Sequence, residues 1–360
     1  MLIRFRYISA LSVRATVLLT PLFAALFALP AQALVILQYH HVDATTPAVT
    51  SVSPDTFREH MTLLEEMDMT VVNLEDAMQQ LLTGESLPER AVAITFDDAY
   101  LSVYENAWPE LKKRNWSFTM FTSTDPVDKK YKDMMNWDQI REIQNGGAVI
   151  ANHTRTHPYL LETPAGEDRK DWWQHEINGA EERIREETGQ STRMFAYPYG
   201  EYSLEMAAWL EDQGYIAFGQ QSGAAGASSH PQIVPRFPAS GVYANIETLK
   251  TKLESLAFNI QPSEVRDPVL NDNPPELTIT LTVNDFRPDQ LQCYGAGVGE
   301  LEIEKDIQGD DDQKIEVTMQ QDTAIKAGRG RYNCTAPSLS QPGRYYWYSQ
   351  LWVNTDVSNR

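Results

Sequence analysis

The sequence predicts an α/β barrel followed by a small all-β domain, and two observations carry this prediction. Between residues 34 and 259, short apolar runs alternate with amphipathic stretches, the pattern of a parallel sheet wrapped by helices. After a Pro-, Asp- and Asn-rich segment at 260–275, which we interpret as a linker, strand-like alternation fills 276–360. We therefore expect two domains.

The first region contains seven strand candidates, a number that favours a barrel over an open sheet. They are 34–39, 70–73, 91–96, 117–122, 148–151, 194–197 and 215–218. The helices between them carry ordinary boundary signals: Ser53 and Pro54 begin one helix, and Gly189 follows the end of another.

The second region is predicted to be an antiparallel sandwich, immunoglobulin-like or carbohydrate-binding-like. It holds the only cysteines of the chain, Cys293 and Cys334. In an exported protein an isolated pair predicts a disulfide. Tyr332 precedes Cys334 by two residues, the spacing of the tyrosine corner in immunoglobulin-like sandwiches.

The N-terminus predicts export. Residues 1–33 have the pattern of a signal peptide, with arginines before an apolar run at 17–29 and a small-residue cleavage site at 31–33. An uncleaved anchor is the alternative, but the run is shorter than the roughly 20 residues of a membrane span. We expect a periplasmic or extracellular protein with no transmembrane span in the mature chain.

The charge balance limits the partners. With 30 basic against 50 acidic residues, nucleic acid is an unfavourable partner. The same acidity suits attraction to a cationic polymer, although such an excess is commonly only a solvated surface.

Carboxylates and imidazoles follow two of the predicted strands. Asp97 and Asp98 come directly after strand 91–96, and His153 and His157 follow strand 148–151. The carboxyl ends of parallel strands meet at one rim, so these groups are expected to come together. Successive side chains diverge, so one aspartate would bind a metal while its neighbour acts as a base.

Two imidazoles and one carboxylate make a three-ligand metal site with an open position for water. Zinc is the default ion for this set, and iron, cobalt or nickel would also fit it. Such an ion activates water and polarises a carbonyl, which makes the predicted protein a hydrolase.

Two further strand ends offer catalytic groups. After strand 194–197, Gly200 would let the backbone approach a ligand, and this turn could direct an amide N–H at an oxyanion. A histidine after the first strand could protonate a leaving amine. Each reading competes with a purely structural one, a rigid turn or a satisfied core histidine.

The chain resembles the polysaccharide deacetylases of carbohydrate esterase family 4, with their NodB-type domain. The resemblance rests on Thr-Phe-Asp-Asp at 95–98, His-Thr-x-x-His-Pro at 153–158 and Tyr-Pro-Tyr-Gly at 197–200. It implies a distorted (β/α)7 barrel and metal-dependent removal of acetyl groups from N-acetylated sugars. The roles it implies are Asp97 as base, Asp98, His153 and His157 as metal ligands, and the Tyr199 backbone N–H as oxyanion donor. Expected substrate-binding residues are Tyr197, Pro198, Trp137 and Arg236.

Two departures from the family pattern matter. Ala196 stands where the family has the arginine that orients the base, and Arg193 or Arg236 are possible substitutes. The late Leu-x-His motif, source of the general acid, is absent after Gly241.

The run at 35–40 looks like that late strand moved to the N-terminus. This circular permutation is similar to the biofilm poly-β-1,6-N-acetylglucosamine N-deacetylases. It makes His40 the candidate acid, with His41 next and His230 third.

The sequence therefore predicts an N-deacetylase acting on N-acetylglucosamine units of a polysaccharide. An O-acetyl esterase acting on xylan or a related glycan is the close alternative, because it needs the same machinery without a strong acid. A non-catalytic carbohydrate-binding protein is the distant alternative, suggested by Ala196 and the missing late motif.

Overall fold

The computed structural model describes residues 33–260, 264–308 and 314–357. The predicted signal peptide, apart from its last residue, lies outside the described residues. Among the helices that are described, none has the length and apolar character needed to cross a bilayer.

A curved sheet of parallel strands organises the first part of the chain. The strands of this part are β1 (Val35–Tyr39), β2 (His41–Val42), β3 (Ser51–Val52), β4 (Thr70–Val71), β5 (Ala91–Asp97), β6 (Thr119–Thr122), β7 (Val149–Asn152), β8 (Met194–Ala196), β9 (Ile216–Phe218), β10 (Phe237–Pro238) and β11 (Ser255–Ala257). Eight of them form one sheet in the order β10-β1-β5-β6-β7-β8-β9, with β4 also paired to β5. The sheet is a half-barrel wrapped by helices, which confirms the predicted fold class.

Helices cover the outside of this sheet. They are α1 (Pro54–Glu66), α2 (Leu74–Thr83), α3 (Trp108–Arg114), α4 (Thr124–Asp128), α5 (Trp137–Asn145), α6 (Arg169–Trp173), α7 (Gly179–Thr188), α8 (Leu204–Asp212) and α9 (Ile246–Leu253). The helix predicted to end before Gly189 consists of α6 and α7 joined by a π-helical turn, Gln174–Asn178. At the start of α1 the Ser53 side chain accepts from the Thr56 amide, as its N-cap position predicts.

The seven predicted strands all belong to this sheet, but its eighth strand, β10, was not predicted. β10 has only two residues, one of them Pro238, and pairs with β1 through Leu37 and Gln38. Two residues contain no repeat, so no periodicity could reveal this strand. It matters because Arg236 lies directly before it.

The last part of the chain is a two-sheet β structure. Its strands are β12 (Glu276–Thr282), β13 (Gln292–Gly295), β14 (Gly299–Glu300), β15 (Ile303–Gln308), β16 (Lys314–Gln320), β17 (Arg329–Pro337) and β18 (Tyr345–Val353). One sheet has the order β12-β16-β15 and the other β11-β18-β17-β13-β14. A disulfide joins Cys293 of β13 to Cys334 of β17, which are directly paired in register.

The two parts share a sheet. β11 lies before the linker predicted at 260–275, yet its Ser255–Ala257 pairs in parallel with Tyr345–Trp347 of β18. Val269, inside the same predicted linker, bridges to Val353. The composition of the linker does not reveal that the two parts share a sheet. This shared sheet fixes the β structure against the barrel.

Candidate active site

The two aspartates lie at the end of β5, a central strand of the sheet that pairs with β1, β4 and β6. All of its residues are buried, and Asp97 is its last residue with no exposed surface. Asp98 and Ala99 then adopt positive φ values of 74° and 65°. This left-handed turn points successive side chains apart, so Asp97 and Asp98 face different neighbours.

Asp98 meets the two histidines. Its Oδ1 lies 3.5 Å from His153 Nε2 and 3.4 Å from His157 Nε2. One possible ligand atom from each of the three residues lies within 4.8 Å of the others. Two imidazole nitrogens and one carboxylate oxygen at this spacing fit a divalent metal such as zinc.

The environment of His153 prepares it as a ligand. Its Nδ1 lies 2.7 Å from the Ala196 carbonyl, which can only accept, so Nδ1 carries the proton. The lone pair therefore sits on Nε2, which is buried and has no hydrogen-bond partner among the described residues. Burial lowers the pKa of His153 to about 4, so the ring is neutral at pH 7. A carbonyl behind a ligating imidazole is the usual arrangement at metal sites.

His157 is placed by a strained loop rather than by a helix. The His157 amide donates to Thr154 Oγ1 at 2.9 Å, and the Thr154 amide donates to Asn152 Oδ1 at 2.9 Å. Both Thr154 and His157 have positive φ, at 71° and 57°. Non-glycine residues in this region cost free energy and concentrate at functional sites.

Asp97 is fixed by a buried arginine. Arg236 donates to Oδ1 at 2.7 Å and to Oδ2 at 3.0 Å, and Gln38 Nε2 donates to Oδ2 at 2.7 Å. Burial would raise the pKa of Asp97, but the charge and hydrogen bonds of Arg236 hold that pKa below its ordinary value. Asp97 is therefore a permanent carboxylate near neutral pH.

Of the two possible substitutes for the arginine that is absent at Ala196, Arg236 is the one that contacts Asp97. The other candidate, Arg193, is exposed and donates to the Gln213 carbonyl instead. The expectation that Arg236 contacts substrate is wrong, because its side chain is fully buried against Asp97 and the Gly219 carbonyl.

Of the three candidate acids, His40 is the one that lies against Asp97. Its Nε2 is 3.8 Å from Asp97 Oδ2, and its side chain is 18% exposed. His41 is buried and stacks on Tyr100 with ring centroids 3.5 Å apart. His230 lines a separate cavity with Trp347 and accepts from the Gln232 amide.

The turn after β8 brings the Tyr199 ring against His157. Tyr199 has a φ of 58°, and its ring centroid lies 4.5 Å from that of His157 and 4.0 Å from that of Tyr159. The structure gives a reason for a glycine at position 200 other than the predicted close approach of the backbone to a ligand. A Cβ there would lie 2.7 Å from Gln220, a side chain of the protein itself.

Two of the expected substrate contacts in this turn face the core. Tyr197 is fully buried and its hydroxyl donates to the Gln232 carbonyl at 2.8 Å. Pro198 is buried as well. Neither side chain is available to a polymer, because a turn motif does not show which side of the backbone a ring occupies.

The contacts of Trp137 lie away from Asp98. It begins α5, its Nε1 donates to Asp128 at 2.7 Å, and Arg183 lies over its ring. These contacts hold α5 to its neighbours and involve none of the residues around Asp98.

Two site residues escaped the sequence reasoning. Gln38 holds Asp97, and Tyr100 is near enough to Asp98 that this carboxylate, after burial, raises the pKa of its hydroxyl. Gln38 sits on β1 opposite Thr95, so the pairing of β1 with β5 is the signal that could have found it. Tyr100 follows Asp98 by two residues and could have been proposed from proximity alone.

Residues 84–218 match the family model described as polysaccharide deacetylase. This part of the chain is similar to polysaccharide deacetylase domains. The match contains Asp97, Asp98, His153, His157 and Tyr199, the residues that the geometry gathers at one rim. His40 and Arg236 lie outside the matched range.

Relatives of the deacetylase domain are known from several bacteria. The chain is 27% identical to a protein of Bacillus subtilis named as a polysaccharide deacetylase, YxkH, over 60% of this chain and 76% of that protein. It is 28% identical to the poly-beta-1,6-N-acetyl-D-glucosamine N-deacetylase of Escherichia coli, covering 55% of this chain and only 35% of that enzyme. The chain thus spans about a third of the length of the Escherichia coli relative.

A solved structure shows the same fold. The structure of IcaB from Ammonifex degensii superposes with a TM-score of 0.51 at 28% sequence identity, covering 58% of this chain and 92% of IcaB. The β structure after residue 260 adds to this shared half-barrel.

Proposed function

We propose that this protein is a divalent-metal-dependent N-deacetylase that removes acetyl groups from N-acetylglucosamine units of a polysaccharide. The observation that carries the proposal is the convergence of Asp98, His153 and His157 within 4.8 Å beside a buried carboxylate, Asp97. The names of the Escherichia coli relative and of the deacetylase family agree with it.

The three ligands fit zinc best, and we propose zinc as the native ion. A zinc ion bound there would supply a Lewis acid for the acetyl carbonyl and lower the pKa of a bound water. The fit rests on the buried, unprotonated Nε2 of His153, which has no hydrogen-bond partner among the described residues.

Asp97 is proposed as the general base. Within the described part of the chain, its Oδ1 accepts from Arg236 alone, so one lone pair remains for the proton of an attacking water. Its low pKa makes it a weak base, but one that is always ionised and held in one orientation.

The remaining roles follow from position. We propose that the Tyr199 backbone N–H stabilises the developing oxyanion, and that His40 protonates the departing amine. An amide needs such an acid more than an ester does, because an amine leaves poorly without a proton. The half-buried His40 beside Asp97 therefore favours the N-deacetylase over the O-acetyl esterase.

Export to the periplasm or the cell exterior is part of the proposal. It places the enzyme where polysaccharides are found, and it agrees with the disulfide between Cys293 and Cys334. The net charge of −20 would also attract the cationic amines that deacetylation produces.

The direct test is acetate release from a panel of glycans, with and without a chelator. Poly-β-1,6-N-acetylglucosamine oligomers and chitooligosaccharides test amide hydrolysis, and acetylated xylan tests ester hydrolysis. We expect chelator-sensitive release from an N-acetylated glycan that zinc restores. Release from xylan alone would establish the esterase, and glycan binding without any release would establish the non-catalytic alternative.

A further inference from the structure

The β structure at the C-terminus reaches the candidate active site through one side chain. Arg329, the first residue of β17, donates from an Nη to the Tyr199 carbonyl at 2.8 Å. Its guanidinium carbon also lies 5.7 Å from the centre of the Tyr199 ring. A third contact is electrostatic, with Arg329 Nε 3.8 Å from the buried carboxylate of Glu201.

These three contacts converge on a turn that needs support. Tyr199 has a left-handed backbone although it is not glycine. Such a conformation persists only where surrounding contacts fix it. Arg329 touches this turn at the Tyr199 carbonyl, the Tyr199 ring and the carboxylate of Glu201, two residues later.

Displacement of this turn would reach the site directly. The Tyr199 ring lies against the His157 ring, with centroids 4.5 Å apart, and it also stacks on the Tyr159 ring. The amide of Tyr199 belongs to the peptide next to the carbonyl that Arg329 holds. Rotation of the turn would therefore move both the proposed oxyanion donor and the packing of a proposed metal ligand.

The strand that carries Arg329 is firmly attached to the barrel. β17 pairs along its whole length with β18, and β18 pairs with β11. Leu351 and Val353 of β18 pack in the same buried cluster as Tyr202 and Trp173 of the barrel. The backbone of Arg329 is therefore held in a fixed position relative to the barrel.

We propose that Arg329 is a positioning residue for deacetylation, so that the C-terminal β structure completes the active site. Arg329 holds Tyr199 in its left-handed conformation and so aims the Tyr199 amide at the reacting carbonyl. This inference rests on the proposed function, in which that amide stabilises the oxyanion. It assigns the β structure a part in catalysis in addition to any binding of glycan.

A second arginine of the β structure provides the matched control. Arg344 donates to the Ser255 carbonyl and lies 3.7 Å from Glu254, so it also joins the two parts of the chain. It touches no residue of the Tyr199 turn. Arg344→Gln and Arg329→Gln therefore both remove one guanidinium from the junction, but only the second releases the turn.

The test measures steady-state kinetics of acetate release by the full-length zinc-loaded protein. For Arg329→Gln we expect kcat to fall about tenfold and KM to stay within about twofold of the wild-type value. This loss in kcat is smaller than the 10²- to 10³-fold loss on outright removal of an oxyanion donor, because the Tyr199 amide is displaced but still present. Arg329→Lys, which keeps the charge and one donor, should recover part of the loss. Wild-type kcat in Arg329→Gln would overturn the proposal, and so would an equal loss in Arg344→Gln.

Hydrogen exchange separates failure of this inference from failure of the proposed function. The Gly200 and Glu201 amides donate to Tyr197 and Pro198 within the turn, so their exchange reports whether the turn opens. We expect faster exchange of these amides in Arg329→Gln and not in Arg344→Gln. If the wild type releases no acetate from any glycan, the proposed function fails, and unchanged exchange in Arg329→Gln would overturn the role of Arg329 independently.

Discussion

Arg236 donates to both carboxylate oxygens of Asp97, at 2.7 and 3.0 Å, although 139 positions separate the two residues. Both side chains are completely buried. A buried charge needs its partner, so removal of either one leaves the other uncompensated. The pair therefore fixes both the orientation and the ionisation of the proposed base.

Substitution of Arg236 should shift the pH dependence of the reaction. In Arg236→Gln the guanidinium no longer lowers the pKa of Asp97, so that pKa rises. The acidic limb of the kcat/KM profile, which reports the ionised base, should then move to higher pH, and kcat should fall at least about tenfold. Arg193→Gln is the control, because Arg193 contacts Gln213 instead. An unshifted acidic limb would refute the assignment.

Acid stability should also depend on Asp97. Its folded pKa lies below the ordinary value near 4, so its contribution to stability is present above pH 4 and is lost as the pH falls below it. Urea unfolding of the wild type should show a loss on the order of 2 kcal/mol from this group between about pH 5 and pH 2. Asp97→Asn should be less stable at pH 7 and have a flatter acid profile. Parallel profiles for the two proteins would contradict this reading.

Substitution of His40 should discriminate between amide and ester substrates. His40→Asn removes the proposed proton donor, so kcat on an N-acetylated oligomer should fall by about 10²-fold. Hydrolysis of an activated acetyl ester, whose leaving group needs no proton, should change much less. His230→Asn is the control, because His230 lies in a separate cavity with Trp347. Equal losses on both substrates would indicate a structural role for His40.

The disulfide should stabilise the β structure without taking part in catalysis. Cys293 and Cys334 are 41 positions apart. Closing a loop of this size with a disulfide stabilises the folded state by about 3–4 kcal/mol in the chain-entropy model. The double substitution to alanine should lower the free energy of unfolding in urea by that order, with kcat unchanged at 25 °C. A parallel loss of zinc would show that sulfur is needed at the site, contrary to the geometry.

The sequence predicts that the proposed metal ligands come together but does not reveal what supports the site, for a physical reason. Asp98, His153 and His157 follow strands, and parallel strands bring their ends to one rim. Arg236 and Gln38 reach Asp97 from 139 and 59 positions away, and no local pattern records either contact. Arg236 was therefore only one of two candidates, and Gln38 was not proposed.

Side-chain direction is the second limit of the sequence reasoning. Tyr197, Pro198 and Trp137 were expected to contact substrate, yet the structure buries or engages each of them elsewhere. A motif fixes the course of the backbone, whereas the face that a ring occupies depends on distant packing. The contact between Arg329 and Tyr199 is of the same kind, since it joins residues 130 positions apart.

The most direct test compares Asp97→Asn and Asp98→Asn by zinc stoichiometry and acetate release measured on the same protein preparations. In the proposed mechanism Asp98 binds the metal and Asp97 transfers the proton. We therefore expect that Asp97→Asn keeps about one zinc per chain and loses most activity, whereas Asp98→Asn loses both. Wild-type turnover in Asp97→Asn, or full zinc occupancy in Asp98→Asn, would contradict this division of roles.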